Sequence, residues 1–162
     1  MAKRSRRPRA PSSASTSAAP QAPSREIRYI ESSALVAALL ERSADARTAV
    51  RAKGRRVTSA LTLAETARAI LRARATGRLA AEQERAAIQA LRRFERRCYV
   101  VALTEAVLAR VRKPFPVEPI RTLDAVHLTT AELLGEPPAL MTIVTRDDRI
   151  RRNAEALGYA TA

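Results

Sequence analysis

Short apolar runs rich in β-branched residues alternate along this chain with longer stretches in which apolar positions return every three to four residues. The runs Arg28–Ile30, Arg56–Ala60, Tyr99–Ala102 and Met141–Val144 read as strands, with Tyr159–Ala160 as a short fifth if it is counted. Between them the helical period predicts helices at Ser33–Arg42, Ala44–Ala52, Leu63–Ala75, Ala80–Arg96, Glu105–Arg112, Leu123–Leu134 and Asp148–Leu157. Ala87, Ile88, Leu91 and Phe94 form one apolar stripe and Val107, Leu108 and Val111 another, so these helices have a core face. Gly77, Gly135 and Gly158 fall just past predicted helix ends, where the chain turns most easily without a Cβ. The segment KPFPVEPI, with Pro114, Pro116 and Pro119, can continue neither helix nor central strand and predicts an extended loop. Strands alternating with helices predict an α/β fold with a parallel sheet covered by helices.

One carboxylate stands where strand turns into helix. In YIESSALVAALLE, Glu31 follows a buried strand and precedes an amphipathic helix. A strand end opening onto a helix N-terminus is where open α/β sheets place their chemistry, although an acid there also serves simply to close the strand. Other acids occupy comparable places. Aspartate occurs only at 45, 124, 147 and 148. TIVTRDD runs a strand into Asp147 and Asp148, RTLDAVHL sets Asp124 in the first turn of a helix, and Glu65 lies early in the helix after the second strand.

Each acid has a structural explanation of its own. Asp147 suits the N-cap of the last helix, Asp124 or Thr122 that of its own helix, and Glu65 can pair with Arg68 three residues on. Capping does not explain why a parallel sheet would bring several of these acids to one edge. Gathered carboxylates repel and raise one another's pKa unless a cation sits among them. Hard oxygen ligands without a His or Cys cluster suit Mg²⁺ or Mn²⁺ rather than Zn²⁺.

Composition narrows the partners. The 162 residues suffice for one domain. A net charge of +14, with 27 of the 30 basic residues Arg, points to polyanions, while GC-rich coding yields the same arginine bias. Residues 1–25 are basic, acid-free and rich in Pro, Ser and Ala, which predicts a disordered tail preceding a domain over residues 26–162. Such a tail reads as a nucleic-acid-attracting arm, as a misplaced start or as an acid-free transit peptide. The single cysteine, Cys98, fits a reducing cytosol and is expected in the core beside Tyr99, Val100 and Val101. The longest apolar run, Ala34–Leu40, is far shorter than the roughly 20 residues that span a bilayer, so a cytoplasmic protein without a membrane partner is expected.

The order Tyr29-Ile30-Glu31-Ser32-Ser33-Ala34-Leu35, then Glu65, then Arg121-Thr122-Leu123-Asp124-Ala125-Val126-His127-Leu128, then Thr145-Arg146-Asp147 and Ala156-Leu157-Gly158-Tyr159, resembles the PIN domains. Among these it is most similar to the VapC-like ribonuclease toxins of toxin–antitoxin modules. The resemblance spans Arg28 to Ala160. It implies a three-layer α/β/α sandwich with a central, mostly parallel sheet of four to five strands, hydrolysis of RNA phosphodiester bonds with Mg²⁺ or Mn²⁺, a cognate antitoxin and a homodimer. Carried onto this chain, it implies catalytic Glu31, Glu65, Asp124 and Asp147, with Glu31, Asp124 and Asp147 on the metal. Ser33, Thr145 and Asp148 are expected as auxiliaries and Arg121, Arg146 and Arg149 as RNA contacts. His127, one turn after Asp124, is expected as a packed helix histidine in preference to a proton shuttle.

The departure from the family pattern is Glu31, where Asp is usual. It keeps a second reading open, a catalytically degenerate PIN-like module that binds RNA or a partner without cutting. A third is a basic α/β DNA-binding protein whose acids are only caps.

Overall fold

The computed structural model describes residues 26–162, so the expectation of a disordered basic tail lies outside the described residues. Five strands, β1 (Ile27–Ile30), β2 (Arg55–Ser59), β3 (Tyr99–Val101), β4 (Met141–Val144) and β5 (Ala160–Thr161), form one sheet in the order β3-β2-β1-β4-β5. Every pairing is parallel. Seven α-helices lie among the described residues: α1 (Ser32–Leu39), α2 (Ala44–Arg51), α3 (Ala60–Ala75), α4 (Ala81–Glu95), α5 (Glu105–Val111), α6 (Thr122–Glu132) and α7 (Asp148–Ala156). This is the expected α/β/α sandwich.

Period-two alternation along the central strands sorts the core into two layers. Ile27 and Tyr29 from β1 and Met141 and Ile143 from β4 pack with Phe115, Leu128 of α6 and Ile150 of α7. Their neighbours Ile30 and Val144 face the other way, onto Ala34 and Leu35 of α1, Ile70 of α3 and Leu91 of α4. Tyr29, Ile30, Val57 and Val144 have no exposed surface, as strands covered on both faces require. Truncating one of the fully buried aliphatic chains to Ala would cost about 2–5 kcal/mol.

Because β1 has β2 on one side and β4 on the other, the chain order reverses between β1 and β4. In open α/β sheets a crevice opens at the carboxyl ends of the strands at such a switch point. Glu31 is the residue after β1, and Thr145, Arg146 and Asp147 follow β4.

Several boundaries differ from the sequence reading for local reasons. Helix α1 starts at Ser32 because Glu31 is its N-cap, and it stops early, with Arg42 in the left-handed region at φ 55°. Ser59 ends β2 and caps α3 in one residue, its hydroxyl accepting the Thr62 amide at 3.0 Å, so Ala60 belongs to the helix and not to the strand. Tyr159 bonds back to the Ala154 carbonyl, which delays β5 by one residue. The expectation that Cys98 and β3 lie in the core is corrected. As β3 is an edge strand, Tyr99 is 56% exposed, with the Arg55 guanidinium over its ring, and Cys98 is only half-buried. Gly54 has φ +133° and a Cβ there would meet the Glu26 carbonyl at 2.9 Å, so the turn into β2 requires glycine.

Candidate active site

Glu31 sits at the switch point with its carboxylate 3% exposed. It caps α1 by accepting the Ser33 amide on Oε1 at 2.9 Å, and the same oxygen accepts the Ser32 hydroxyl at 2.6 Å. Oε2 accepts the Ser33 hydroxyl at 2.5 Å and the Thr145 hydroxyl at 2.8 Å. Two of these donors are tied to the β4 end. The Thr145 hydroxyl accepts the Asp147 amide at 3.1 Å, and the Ser33 hydroxyl accepts the Arg146 amide at 2.7 Å. The strand-end carboxylate and two hydroxyls therefore lace together the loops after β1 and β4. Ser33 and Thr145, expected as auxiliaries, hold Glu31 directly.

Glu65 comes from the second turn of α3 and meets His127 of α6, Oε2 to Nε2 at 2.8 Å, and not Arg68. The same Nε2 lies 3.6 Å from Glu31 Oε1. Glu31, Glu65 and His127 each present a ligand atom within 4.8 Å of the others, a set that could hold a metal ion once the His127 nitrogen facing the acids gives up its hydrogen. Because Nε2 faces carboxylate oxygens, which only accept, it carries a hydrogen; in the neutral ring Nδ1 then accepts from the Tyr29 hydroxyl 3.2 Å away. Burial pushes the Tyr29 phenol well above its usual pKa, so it keeps that proton. Burial alone would raise the Glu65 pKa, but the hydrogen bond and charge of His127, with the Ser32 hydroxyl, outweigh it and hold the carboxyl below its ordinary range. His127 is packed as expected, at 2% exposed, yet both its nitrogens are engaged by the site.

Asp124 lies in the first turn of α6, whose N-cap is Arg121 with no side-chain cap, so neither Asp124 nor Thr122 caps this helix. Asp124 Oδ2 is buried without a hydrogen-bond partner. Burial raises the Asp124 pKa, the negative charges of Asp147 and Glu31 add to the rise, and Arg121 and Arg149 oppose it. Asp147 does cap α7, Oδ1 accepting the Arg149 amide at 2.8 Å and the Ile150 amide at 3.3 Å. Its other oxygen lies 4.0 Å from the Arg149 guanidinium. Asp148 stands apart, its side chain 80% exposed and 4.0 Å from Arg151.

The four acids lie around the switch point, Glu31 after β1, Glu65 in α3, Asp124 in α6 and Asp147 at the N-cap of α7. They do so as two linked halves, Glu31 with Glu65 through His127, and Asp124 under the negative charge of Asp147 and, more weakly, of Glu31. The expected metal trio of Glu31, Asp124 and Asp147 is not the tightest grouping. The part played by His127 and Tyr29 was missed in the sequence, although Asp124-x-x-His127 is one helical turn and Tyr29 shares a strand face with Glu31. Arg146 lines two recesses flanking these acids, one with Ser32, Ser33 and Glu65, the other with Asp147 and Arg149.

The family model described as "PIN domain" matches residues 28–156. A protein named Ribonuclease VapC46 from Mycobacterium tuberculosis (strain ATCC 25618 / H37Rv) is 40% identical over 134 residues, covering 82% of this chain and 93% of the relative. Ribonuclease VapC35 from the same strain is 35% identical over 136 residues, again 82% of this chain and 93% of the relative.

Proposed function

The chain belongs to the PIN-domain family, and from that premise we propose that it is an endoribonuclease dependent on a divalent metal ion, the toxin of a toxin–antitoxin pair. One observation carries the metal dependence. Asp124, on which the charges of Asp147 and Glu31 bear, has a buried oxygen with no partner, and Glu31 and Glu65 share His127 beside it. A buried carboxylate oxygen left without a partner beside other acids calls for a cation.

The residues suit a hard divalent ion, with carboxylate oxygens as the main donors. Glu31, Asp124 and Asp147 would hold Mg²⁺ or Mn²⁺, with Glu65 completing the acidic set. When bound, the ion supplies acidification of a water and stabilisation of charge on the phosphoryl oxygens. The chain's own contribution is to fix the acids in place. Ser32, Ser33 and Thr145 hold Glu31, the α7 amides hold Asp147, and His127 holds Glu65. Arg121, Arg146 and Arg149 supply guanidinium groups for the substrate's backbone phosphates. Among the described residues no helix is long and apolar enough to cross a membrane. The further partners proposed are an antitoxin protein and a second copy of this chain. Exposed Leu71, Leu103, Leu108, Leu123 and Leu133 supply apolar surface for such contacts.

A second reading, binding without cleavage, is favoured by a specific observation. The Glu31 carboxylate already accepts four hydrogen bonds from the protein, about as many as it has lone-pair sites. Titrating the protein with Mn²⁺ while following thermal stability and RNA cleavage separates the two. The nuclease reading predicts stabilisation and cleavage together, and the second reading predicts RNA binding with no metal-dependent cleavage.

A further inference from the structure

Beside the carboxylates, on the side away from α3, a cleft of about 540 Å³ runs between α7 and the Pro-rich loop. Val117, Glu118 and Pro119 form one wall, and Arg146, Asp147, Asp148, Arg149, Arg152 and Asn153 belong to the other, Asp148 being the mostly exposed acid 4.0 Å from Arg151. Asn153 has a place in none of the chemistry described so far. It is 1% exposed, and its amide joins the two walls. Oδ1 accepts the Val117 N–H at 2.9 Å, and Nδ2 donates to the Val117 carbonyl at 2.8 Å and to the Arg149 carbonyl at 3.1 Å. The side chain thus reads both polar atoms of one loop residue, as a paired strand would.

The loop is built to stand still. Phe115 is buried in the core with the Arg110 guanidinium 4.2 Å above its ring, and Arg110 is itself paired with Glu132. The Glu118 carboxylate accepts the Phe115 amide at 3.0 Å and the Ile120 amide at 2.8 Å, bonds that hold it below the usual carboxylate range. Its charge is engaged by the loop's own backbone. Opposite, Arg149 and Arg152 are one turn apart on α7, and neither Arg146 nor Arg152 has a carboxylate within 4.0 Å among the described residues. Rigid walls, free guanidinium groups and an opening onto Asp147 are what a strand of polyanion running past the carboxylates would need.

We infer that Asn153 is a positioning residue for RNA: by clamping Val117 it holds the Pro-rich loop as the far wall of a cleft. There the strand flanking the scissile phosphate lies against Arg146, Arg149 and Arg152. The inference rests on the reading of RNA as substrate, but its test does not depend on cleavage.

The test is equilibrium binding of a fluorescein-labelled single-stranded RNA by the full chain in EDTA, followed by anisotropy across a salt series. Arg152→Gln is an exposed change that leaves the fold intact. It should weaken binding and flatten the log–log salt slope by about 0.7, the amount for one phosphate contact. Asn153→Ala should weaken binding about tenfold by releasing the preorganised wall, measured well below its own melting temperature. A purely structural Asn153 predicts a lower melting temperature with unchanged affinity. That result overturns the inference, as does wild-type affinity in Arg152→Gln even if Asn153→Ala fails to fold. If wild type binds RNA and never cuts it while both variants bind weakly, the cleft stands and the nuclease reading falls.

Discussion

Replacing Asp124 by Asn should make the metal-free protein more stable while removing its activity. The substitution keeps size and shape and takes away one negative charge from a group of four. Asp124 Oδ2 is buried with no hydrogen-bond partner, and the charges of Asp147 and Glu31 bear on it. An unpaired buried polar atom costs about 1–3 kcal/mol, more when charged, and the Asn amide, unpaired in the same place, removes only the part due to charge. Since the carboxylate is only partly buried, solvent screening places the gain near the low end, about 1 kcal/mol. For a domain of this size that is a rise of about 3–5 °C in melting temperature. The pH dependence has a definite sign. A carboxyl whose folded pKa is raised destabilises the folded state once it is ionised there, and the penalty vanishes when pH falls below the unfolded value of about 3.9. The gap between Asn variant and wild type should therefore be full at neutral pH and close on acidification. Adding Mn²⁺ should reverse the order, because wild type gains stability from binding and the variant does not. Circular dichroism melts in EDTA and in Mn²⁺ across pH make the measurement. An Asn variant that melts at or below wild type in EDTA at neutral pH refutes the reasoning.

Glu31→Ala should cost about 3–5 kcal/mol in urea melts, because four donors, the α1 cap amide among them, lose their acceptor together in a buried place. Glu65→Gln should lower stability at neutral pH by about 1 kcal/mol, screened as this group is. Since the Glu65 pKa is depressed in the fold, that difference should disappear as pH falls through its folded pKa, a trend that melts on the acid side read directly. Deleting residues 1–25, with six cations, should flatten the salt dependence of single-stranded RNA binding by up to about 4 in log–log slope; an unchanged slope would show that the tail makes no phosphate contacts.

Much of the fold was legible because strand and helix periods alternate cleanly and the strands are short apolar runs with few competing registers. That Glu31 and Asp147 are neighbours was legible for a related reason. A parallel sheet delivers whatever follows its strands to one edge, so Glu31 after β1 and Asp147 after β4 had to be neighbours if β1 and β4 were adjacent. The partners of the acids were not legible. The pairing of Glu65 with His127 spans 62 residues, and nothing local distinguishes it from an i, i+3 pair with Arg68. Asn153 reaches Val117 across 36 residues and reads in sequence only as a polar position on a charged helix. The exposure of Tyr99 and Cys98 depends on β3 being the edge strand, which is a property of strand order and not of the apolar run itself.

The most direct test of a metal-dependent carboxylate site anchored on Glu31 is cleavage of a mixed single-stranded RNA pool by wild type, Glu31→Gln and Glu31→Asp, each with Mn²⁺ and with EDTA. Wild type and Glu31→Asp should cut with Mn²⁺ and be silent in EDTA, and Glu31→Gln, which keeps the shape and loses the charge, should not cut in either. Full activity of Glu31→Gln would remove Glu31 from the site, and an inert wild type beside an active Glu31→Asp would show a PIN fold that binds without cutting.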